Sequence, residues 1–170
     1  MITIKVKDKQ VQDRLSEIVS RAKNMRPAFL EIGEDLVETT KQRFASAQAP
    51  DGTPWAANSP VTVARFLGQT AGNFKKDGSL SRKGQQRSSG KKPLTGETRT
   101  LASTINYQLK GATGVSIGSP QKYAAMQQFG GKKSDFPHLW GNIPARPFLG
   151  VSEKDRTNIL DITARYLLQN

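Results

Sequence analysis

A long polar stretch, from about residue 66 to residue 99, constrains the fold of this chain more than any other feature. Gly, Ser, Lys, Arg and Gln predominate in it, and no helical or strand periodicity runs through it. A segment of this length without regular structure is usually functional or disordered in a compact domain. We therefore predict a flexible basic loop at about residues 66–93, within a single domain that spans residues 1–170.

The positive charge of the chain is concentrated in this stretch. Lysine and arginine number 26 and the acidic residues 14, which gives a net charge of +12. Half of this excess falls between residues 75 and 92, where Asp77 is the one acidic residue. The basic residues there are Lys75, Lys76, Arg82, Lys83, Arg87, Lys91 and Lys92. Such a segment attracts DNA or an acidic protein partner, and a solvated loop is the competing interpretation.

Apolar periodicity at the N-terminus predicts one strand followed by two helices. The alternating residues of the strand are Ile2, Ile4 and Val6. Helical spacing then extends over residues 9–23, with Asp8 placed to cap the first turn. It resumes at Pro27, which suits the first turn of a helix, and continues to about residue 47.

Three acidic residues of the second helix lie opposite its apolar stripe. They are Glu31, Glu34 and Glu38. One interpretation is a solvated acidic face. The other is a docking face for a basic partner, such as the basic loop of a neighbouring copy.

The C-terminal half of the chain predicts a hairpin and two further helices. Apolar residues alternate over residues 105–109 and 115–117 on either side of a glycine-containing turn. A short helix is expected at residues 123–129 and a long one at 152–168, with a candidate short strand at 147–150. The predicted class is α+β, in which a small antiparallel sheet packs against two N-terminal helices and a C-terminal helix.

The segment IPARPFLGVSEKD, residues 143–155, is dense in local signals. Pro144 and Pro147 favour an extended backbone, and Ser152 with Asp155 forms a capping-box pattern that starts the last helix. Arg146 lies between the prolines, where no local structure requires a charge. Arginine is favoured where a planar fork must meet a carboxylate or carbonyls, so Arg146 is a candidate for a buried or intersubunit contact.

Three aromatic residues are further candidates for structural or intersubunit contacts. They are Trp55, Phe129 and Phe148. Trp55 is alone in a turn-rich segment, where a tryptophan more often covers the core than binds a ligand.

The sequence offers little support for catalysis or cofactor binding. It has no cysteine, so disulfides and thiolate metal sites are excluded. His138 is the only histidine, and no acidic cluster has the spacing of a calcium loop. Nothing resembles a signal peptide or a membrane span, so we expect a soluble, intracellular protein at synthesis, without a cofactor or a metal.

Several short segments together resemble the phage virion morphogenesis, or tail completion, family of Mu-like prophages and other phages with contractile tails. Examples are the sequences Pro-Asp-Gly-x-Pro-Trp and Tyr-Ala-Ala-Met-Gln-Gln-Phe-Gly-Gly. The matching segments are residues 43–44, 50–55, 94–101, 115–119, 123–131 and 143–152. One departure is Gln127, where the family often has histidine.

The resemblance implies a non-enzymatic virion component that finishes the tail or joins it to the head. Its expected partners are other neck and tail proteins and further copies of the chain in a ring, although an isolated subunit can be a monomer. The expected location is the head–tail junction of the virion, after assembly in the host cytoplasm.

Two alternatives remain open from the sequence. The first is an accessory protein that binds DNA phosphates through the basic loop, although Phe74 is the only aromatic residue near those lysines that could stack on a base. The second is a virion-associated hydrolase, which would need a pair of carboxylates in a cleft with a perturbed pKa. Its candidate acids are Glu31, Glu34, Glu38, Glu97 and Asp135.

Overall fold

In the part of the chain that the structure describes, the fold consists of helices and one short β-hairpin. The computed structural model describes residues 8–96, 98–139 and 141–169. The elements in these ranges are α1 (Lys9–Lys23), α2 (Arg26–Ser46), α3 (Pro60–Gly68), α4 (Arg82–Gly90), α5 (Thr100–Ser103), β1 (Asn106–Leu109), β2 (Val115–Gly118), α6 (Ala124–Phe129) and α7 (Glu153–Leu168). The predicted α+β class is confirmed. The predicted strand at residues 2–6 lies outside the described residues.

The ends of the long helices are set by local signals that the sequence displays. The carboxylate of Asp8 accepts hydrogen bonds from the first turn of α1. At α7, Ser152 and Asp155 form the predicted capping box, in which each side chain accepts a hydrogen bond from the backbone of the other. The predicted helices at residues 9–23, 27–47 and 152–168 are confirmed.

Helix α2 is the centre of the fold because it contributes to both apolar clusters of the core. Its first half packs Ala28, Ile32 and Leu36 against Ile162 of α7. Its last turns carry Phe44 into a second cluster. The other buried members of that cluster are Ala49, Trp55, Leu101, Ile105, Ala124 and Phe148.

The predicted hairpin is confirmed and lies directly on α2. Strands β1 and β2 pair antiparallel, with Tyr107 opposite Ile117. A Cβ atom at Gly33 would come within 2.6 Å of the Tyr107 ring. Glycine at position 33 therefore allows the hairpin to approach the helix backbone closely.

Helix α1 contributes less to the core than its apolar periodicity suggests. None of its residues is buried, and the side chains of Val11, Leu15 and Val19 are each more than half exposed. It is attached to α7 mainly through Arg14 and Arg21, whose guanidinium groups donate to carbonyls at the C-terminal end of α7. The helix therefore presents an apolar stripe to solvent.

The expected short strand at residues 147–150 is wrong. Among the described residues the segment has no ladder partner; an isolated bridge pairs Gly131 with Ile143 further upstream. Its backbone groups are hydrogen-bonded by side chains instead, from Arg43 on one side and Gln128 on the other. These side chains satisfy the peptide groups that a neighbouring strand would otherwise satisfy.

The prediction of a loop over about residues 66–93 is also wrong. This part of the chain contains the end of α3, a turn closed by a bridge between Phe74 and Leu80, and α4. Ser59 and Ser81 cap the two helices, and Pro60 occupies the first turn of α3. We refer to residues 59–92 as the basic hairpin.

Candidate functional site

A buried arginine joins α2 to the start of α7. The guanidinium of Arg43 donates from Nη1 to the carbonyls of Phe148 and Gly150, at 3.0 and 2.9 Å. Its Nη2 forms an ion pair with Asp155. The pair is almost fully buried, so each charge depends on the other for compensation.

The capping role of Asp155 determines its protonation. Burial raises the pKa of its carboxyl, but the hydrogen bonds from the backbone and hydroxyl of Ser152 and the charge of Arg43 outweigh that effect. The net result is a pKa below the ordinary value of an aspartate. Asp155 is therefore ionised at neutral pH, as its ion pair with Arg43 requires.

Arg146 is the second buried arginine, and it fixes the start of the basic hairpin. Its Nε donates to the Ala56 carbonyl at 2.7 Å and its Nη2 to the Ala57 carbonyl at 2.8 Å. Burial lowers the pKa of this guanidinium, and no charged group among the described residues offsets that effect. Among the described residues, the charge of Arg146 is therefore stabilised only by the carbonyl groups of Ala56 and Ala57.

Trp55 covers the core next to this contact. Its ring meets Phe44 edge to face, with centroids 5.3 Å apart, and Phe44 in turn packs against Phe148 at 5.4 Å. The indole N–H donates to the Pro147 carbonyl at 2.8 Å. Trp55 and Phe148 are both buried, so their side chains are structural in the isolated protein.

Gln128 is an important contact that the sequence did not reveal. Its side-chain Oε1 accepts hydrogen bonds from the backbone N–H groups of Phe148 and Leu149, at 2.9 and 3.0 Å. Its Nε2 donates to the Leu149 carbonyl at 3.0 Å. In the sequence, Gln128 stood out only as part of the family-like segment at residues 123–131. No local pattern predicts a contact with a segment about twenty residues further along the chain.

The basic hairpin has a small ordered centre around Asn73. This side chain is fully buried and donates to the carbonyls of Leu67 and Thr70, at 2.7 and 2.9 Å. The backbone of α4 passes so close that a Cβ atom at Gly84 would lie 2.1 Å from the Asn73 carbonyl oxygen. Polar contacts at Asn73 thus combine with the buried side chain of Leu67 and the stacking of Arg87 on Phe66 between α3 and α4.

The seven predicted basic residues divide into exposed and attached groups. Lys75, Lys76 and Arg82 extend into solvent. The others contact the protein itself, with Lys83 donating to Ala71 and Lys92 to Ala45, and with Arg87 and Lys91 over the ring of Phe66, 4.9 and 4.6 Å from its centroid. The outward charge of the hairpin therefore lies mainly at its turn and at the start of α4.

The three glutamates of α2 are all exposed, and one of them is paired. Glu31 forms an ion pair with Arg165 of α7. Glu38 accepts a hydrogen bond from Gln42 at 3.2 Å. Lys92 reaches the carbonyl of Ala45 at the opposite end of the same helix. At ~1.5 Å per residue, the acidic face extends from about 10 Å (Glu38) to about 20 Å (Glu31) from the contact between α2 and the basic hairpin.

Charge is distributed unequally between the two parts of the molecule. Residues 48–152 hold 14 of the 26 basic residues and 4 of the 14 acidic ones. Helices α1, α2 and α7, including the Asp8 cap, carry equal numbers of each sign. The structure thus combines a helical body of zero net charge with a strongly basic middle region.

A cleft of about 880 Å³ lies between the basic hairpin and the rest of the molecule. Its walls come from α3, residues 91–101, α6 and residues 139–146. Arg146 and Lys91 both line it, together with Tyr123 and Gln127. The position where the family often has histidine therefore faces this cleft.

Phe129 and His138 lie on the surface. The side chain of Phe129 is 78% exposed at the end of α6, where Gly130 adopts a positive φ of 74° and the chain turns. His138 is exposed and packs edge to face against Phe136. In the described part of the chain, neither Phe129 nor His138 contacts an acidic residue or a nucleophile.

The acids considered for a hydrolase do not come together in a cleft. Glu31, Glu34, Glu38 and Asp135 are exposed, and Glu97 lies outside the described residues. The carboxyl groups that show a pKa shift in the described ranges, Glu17, Asp51, Asp77 and Asp155, are all shifted downward. In those same ranges, no group of three or more His, Cys, Asp or Glu residues is arranged to hold a metal ion.

Comparison with known families decides where the chain belongs. The sequence profile described as the phage virion morphogenesis family matches residues 6–168, nearly the whole chain. The chain belongs to the phage virion morphogenesis family. Membership indicates a structural or assembly role in a phage, association with the virion and contact with other virion proteins. No curated protein and no solved structure matches the chain.

A helix that spans a membrane must be long and predominantly apolar. Among the residues that the structure describes, no helix is both long and apolar enough to cross a bilayer.

Proposed function

We propose that this protein is a non-enzymatic subunit that completes the phage tail or joins it to the head, and that it acts as a ring packed against other neck and tail proteins. The observation that carries the proposal is the separation of two oppositely charged surfaces along α2. The acidic face, Glu31, Glu34 and Glu38, lies towards its N-terminal end. The basic hairpin meets its C-terminal end through Lys92.

This separation suits a head-to-tail contact between copies. A heterologous interface joins two different patches, and it generates a ring when the rotation between subunits closes. The nearest acidic residue, Glu38, lies about 10 Å along this helix from the contact at Ala45, which is too far for a direct ion pair within the subunit. The two patches can satisfy each other between neighbours, and Lys75, Lys76 and Arg82 are exposed for that contact.

The exposed apolar side chains support assembly in a second way. Val11, Leu15 and Val19 of α1 and Leu160 and Leu168 of α7 are all more than half exposed. Together with the Asp8 cap, these two helices carry a net charge of only +1, so contact with another protein there carries no large electrostatic cost. Exposed apolar surface of this kind is typical of proteins that are completed by partners.

Deletion of the gene followed by complementation tests the proposed role. We expect lysates without the protein to contain heads and tails that are not joined, when particles are counted by negative-stain electron microscopy. A reconstruction of the complemented particle should show density for this chain at the neck. Normal joined particles after deletion, or density for the chain elsewhere in the particle, would refute the proposal.

Contact with DNA is a second candidate function, favoured by the exposed cations of the basic hairpin. The turn places Lys75 and Lys76 next to each other in solvent, with Arg82 at the start of α4. Such a surface can neutralise backbone phosphates without reading the sequence. A ring that surrounds a DNA passage would make both candidates compatible.

A further inference from the structure

The cleft beside the basic hairpin has the size of a binding site rather than of a surface irregularity. Its volume of about 880 Å³ lies within the range of ~300–1,000 Å³ that is usual for ligand pockets. Four separate parts of the chain form its walls, and Arg146 joins one of them by hydrogen bonds to Ala56 and Ala57, just before α3. The cleft is thus a consequence of the fold.

Apolar surface predominates in the walls, although polar side chains outnumber apolar ones there. The large apolar side chains are Val61, Phe66, Leu94, Leu101, Leu139 and Ile143. Val61 is 67% exposed at the mouth, whereas Leu101 is buried at the base. A ligand must bring apolar groups of its own to benefit from burial in these walls.

Arg146 is the buried cation of the cleft, which Arg65, Lys91 and Lys92 also line. The Arg146 side chain is 7% exposed, and two of its five N–H groups are used on the carbonyls of Ala56 and Ala57. Within the described ranges, no carboxylate lies within ion-pair distance of it. A buried cation without a counter-ion is costly, so an incoming carboxylate would find both a partner and unused donors.

We propose that the cleft binds a short extended segment of an acidic partner protein in the particle, with a carboxylate side chain between two apolar ones. The inference rests on the proposed role in virion assembly, which supplies such partners. The carboxylate would meet Arg146, while the apolar side chains would lie along Val61, Leu94 and Ile143. The positive charge of residues 48–152 would favour the approach of an acidic protein.

A second copy of the chain fits the cleft less well. Phe129, the most exposed aromatic among the described residues, is followed closely by Lys132 and Lys133, which would meet the basic surroundings of the cleft. The acidic face of α2 offers carboxylates, but the exposed residues beside Glu34 and Glu38 are polar or charged or, at Ala45, small. Neither surface supplies a carboxylate flanked by large apolar groups.

Nucleic acid also fits less well. Binding of single strands depends on open aromatic faces for stacking. The ring of Phe66 is already covered by Arg87 and Lys91, so Tyr123, 45% exposed, is the one described aromatic side chain of the cleft with an open face. The sugar and phosphate groups of DNA would leave the apolar walls without a partner.

Titration with capped tripeptides tests this proposal on the full chain. Acetyl-Leu-Glu-Leu-amide and acetyl-Leu-Gln-Leu-amide are added separately to ¹⁵N-labelled protein, and the amide shifts of Thr98, Gly141 and Asn142 are followed. We expect the glutamate peptide to bind about tenfold more tightly than the glutamine peptide. This ratio corresponds to ~1.4 kcal/mol, a typical contribution of a charge-assisted contact. Equal affinity of the two peptides, or no shift with either, would overturn the proposal.

Two variants locate the binding in the cleft. Arg146→Lys should abolish the preference for the glutamate peptide, but it also loosens the contact with Ala56 and Ala57. Val61→Asp avoids that problem because Val61 is mostly exposed and an acid suits the first turn of α3. It should weaken glutamate-peptide binding at least about tenfold, by repulsion at the mouth, with an unchanged melting temperature. Unchanged binding by Val61→Asp would overturn the proposal.

Other possible occupants give different results. If Glu97 of the same chain occupies the position next to Arg146, the peptide will bind only to Glu97→Gln, and the proposal is wrong. A single-stranded oligonucleotide that displaces the peptide and binds more tightly would also refute it.

In the complementation assay, Val61→Asp should reduce joined particles. Normal particles with Val61→Asp refute only the cleft, whereas normal particles after deletion of the gene refute the assembly role.

Discussion

At the scale of single residues, two arginines hold the segment between α6 and α7. Arg43 donates to two carbonyls of that segment and to the Asp155 carboxylate. Arg146, inside the segment, donates to two carbonyls on the other side of the core. The segment therefore keeps its shape through charged side chains rather than through a strand ladder.

Loss of the Asp155 charge should be strongly destabilising. Asp155→Asn leaves Arg43 buried without a counter-ion, which we expect to lower the free energy of unfolding by about 3–5 kcal/mol. Chemical denaturation at pH 7 measures this change. Glu153→Gln is the matched control in the same turn, since its side chain is 93% exposed. A loss as small as that of the control would show that the buried pair contributes little.

The low pKa of Asp155 also predicts how stability depends on pH. Because the folded-state pKa lies below the unfolded value of about 3.9, the stabilising contribution is complete above that value. It is lost as the pH falls through the lower, folded-state pKa. Acid titration of the unfolding free energy should therefore be flatter for Asp155→Asn than for the wild-type protein. Parallel curves for the two proteins would contradict this assignment.

At the scale of elements, the sequence predicted what local signals determine and missed what distant contacts determine. The capping box at Ser152 and the periodicity of α2 gave the long helices because both act within a few residues. Helix α4 was missed because its sequence is polar and its packing depends on Asn73. Its Ser81 cap, and the Ser59-Pro60 pair at α3, are visible in the sequence, but serine and proline are equally common in turns.

The contacts of the site were harder to predict for the same reason. Arg146 could be marked as unusual, but its partners Ala56 and Ala57 are about ninety positions away in the sequence. Gln128 had no local signal at all. The sequence separation of such contacts means that only the fold shows which backbone groups a side chain meets.

The close packing in the basic hairpin predicts a specific effect of Gly84→Ala. The added methyl group would lie 2.1 Å from the Asn73 carbonyl oxygen, so we expect α4 to lose about 1–3 kcal/mol of local stability. Hydrogen exchange of the α4 amides measures this loss. Gly90→Ala is the control because nothing lies within 4 Å of its added Cβ. Equal exchange in the two variants would mean that the hairpin is not packed as described.

At the scale of the whole molecule, a helical body of zero net charge carries a strongly basic middle region. The body supplies one core cluster and contributes Phe44 to the other, whose remaining buried members lie in the middle region. The middle region also supplies the exposed cations of the basic hairpin and the cleft walls. This arrangement agrees with membership in a family of virion assembly proteins. The arrangement also places the surfaces that different partners would use on different parts of the molecule, the helical body and the middle region.

If the basic hairpin contacts DNA, its exposed cations should determine the salt dependence of binding. For Lys75→Gln/Lys76→Gln/Arg82→Gln, the slope of log affinity against log salt should fall by about 0.9 for each phosphate that the protein no longer neutralises. Fluorescence anisotropy with duplex DNA measures the slope. The control is the triple variant Lys110→Gln/Lys122→Gln/Lys154→Gln, which removes three exposed charges elsewhere. It should change the salt slope less. The same slope in both triple variants would exclude the hairpin as the DNA-binding surface.

The central claim is that the acidic face of one copy meets the basic hairpin of the next, and charge reversal tests it most directly. Glu34→Lys/Glu38→Lys and Lys75→Glu/Lys76→Glu should each reduce the fraction of joined particles in complemented lysates, because like charges then face each other. Glu153→Lys should leave that fraction unchanged.

Combining both reversals in one chain restores opposite charges at every contact. We therefore predict that the quadruple variant recovers joined particles to near the wild-type fraction, counted by electron microscopy. If each pair alone is harmless, or if the combination is no better than either pair, the two surfaces do not meet and the proposed ring contact is wrong.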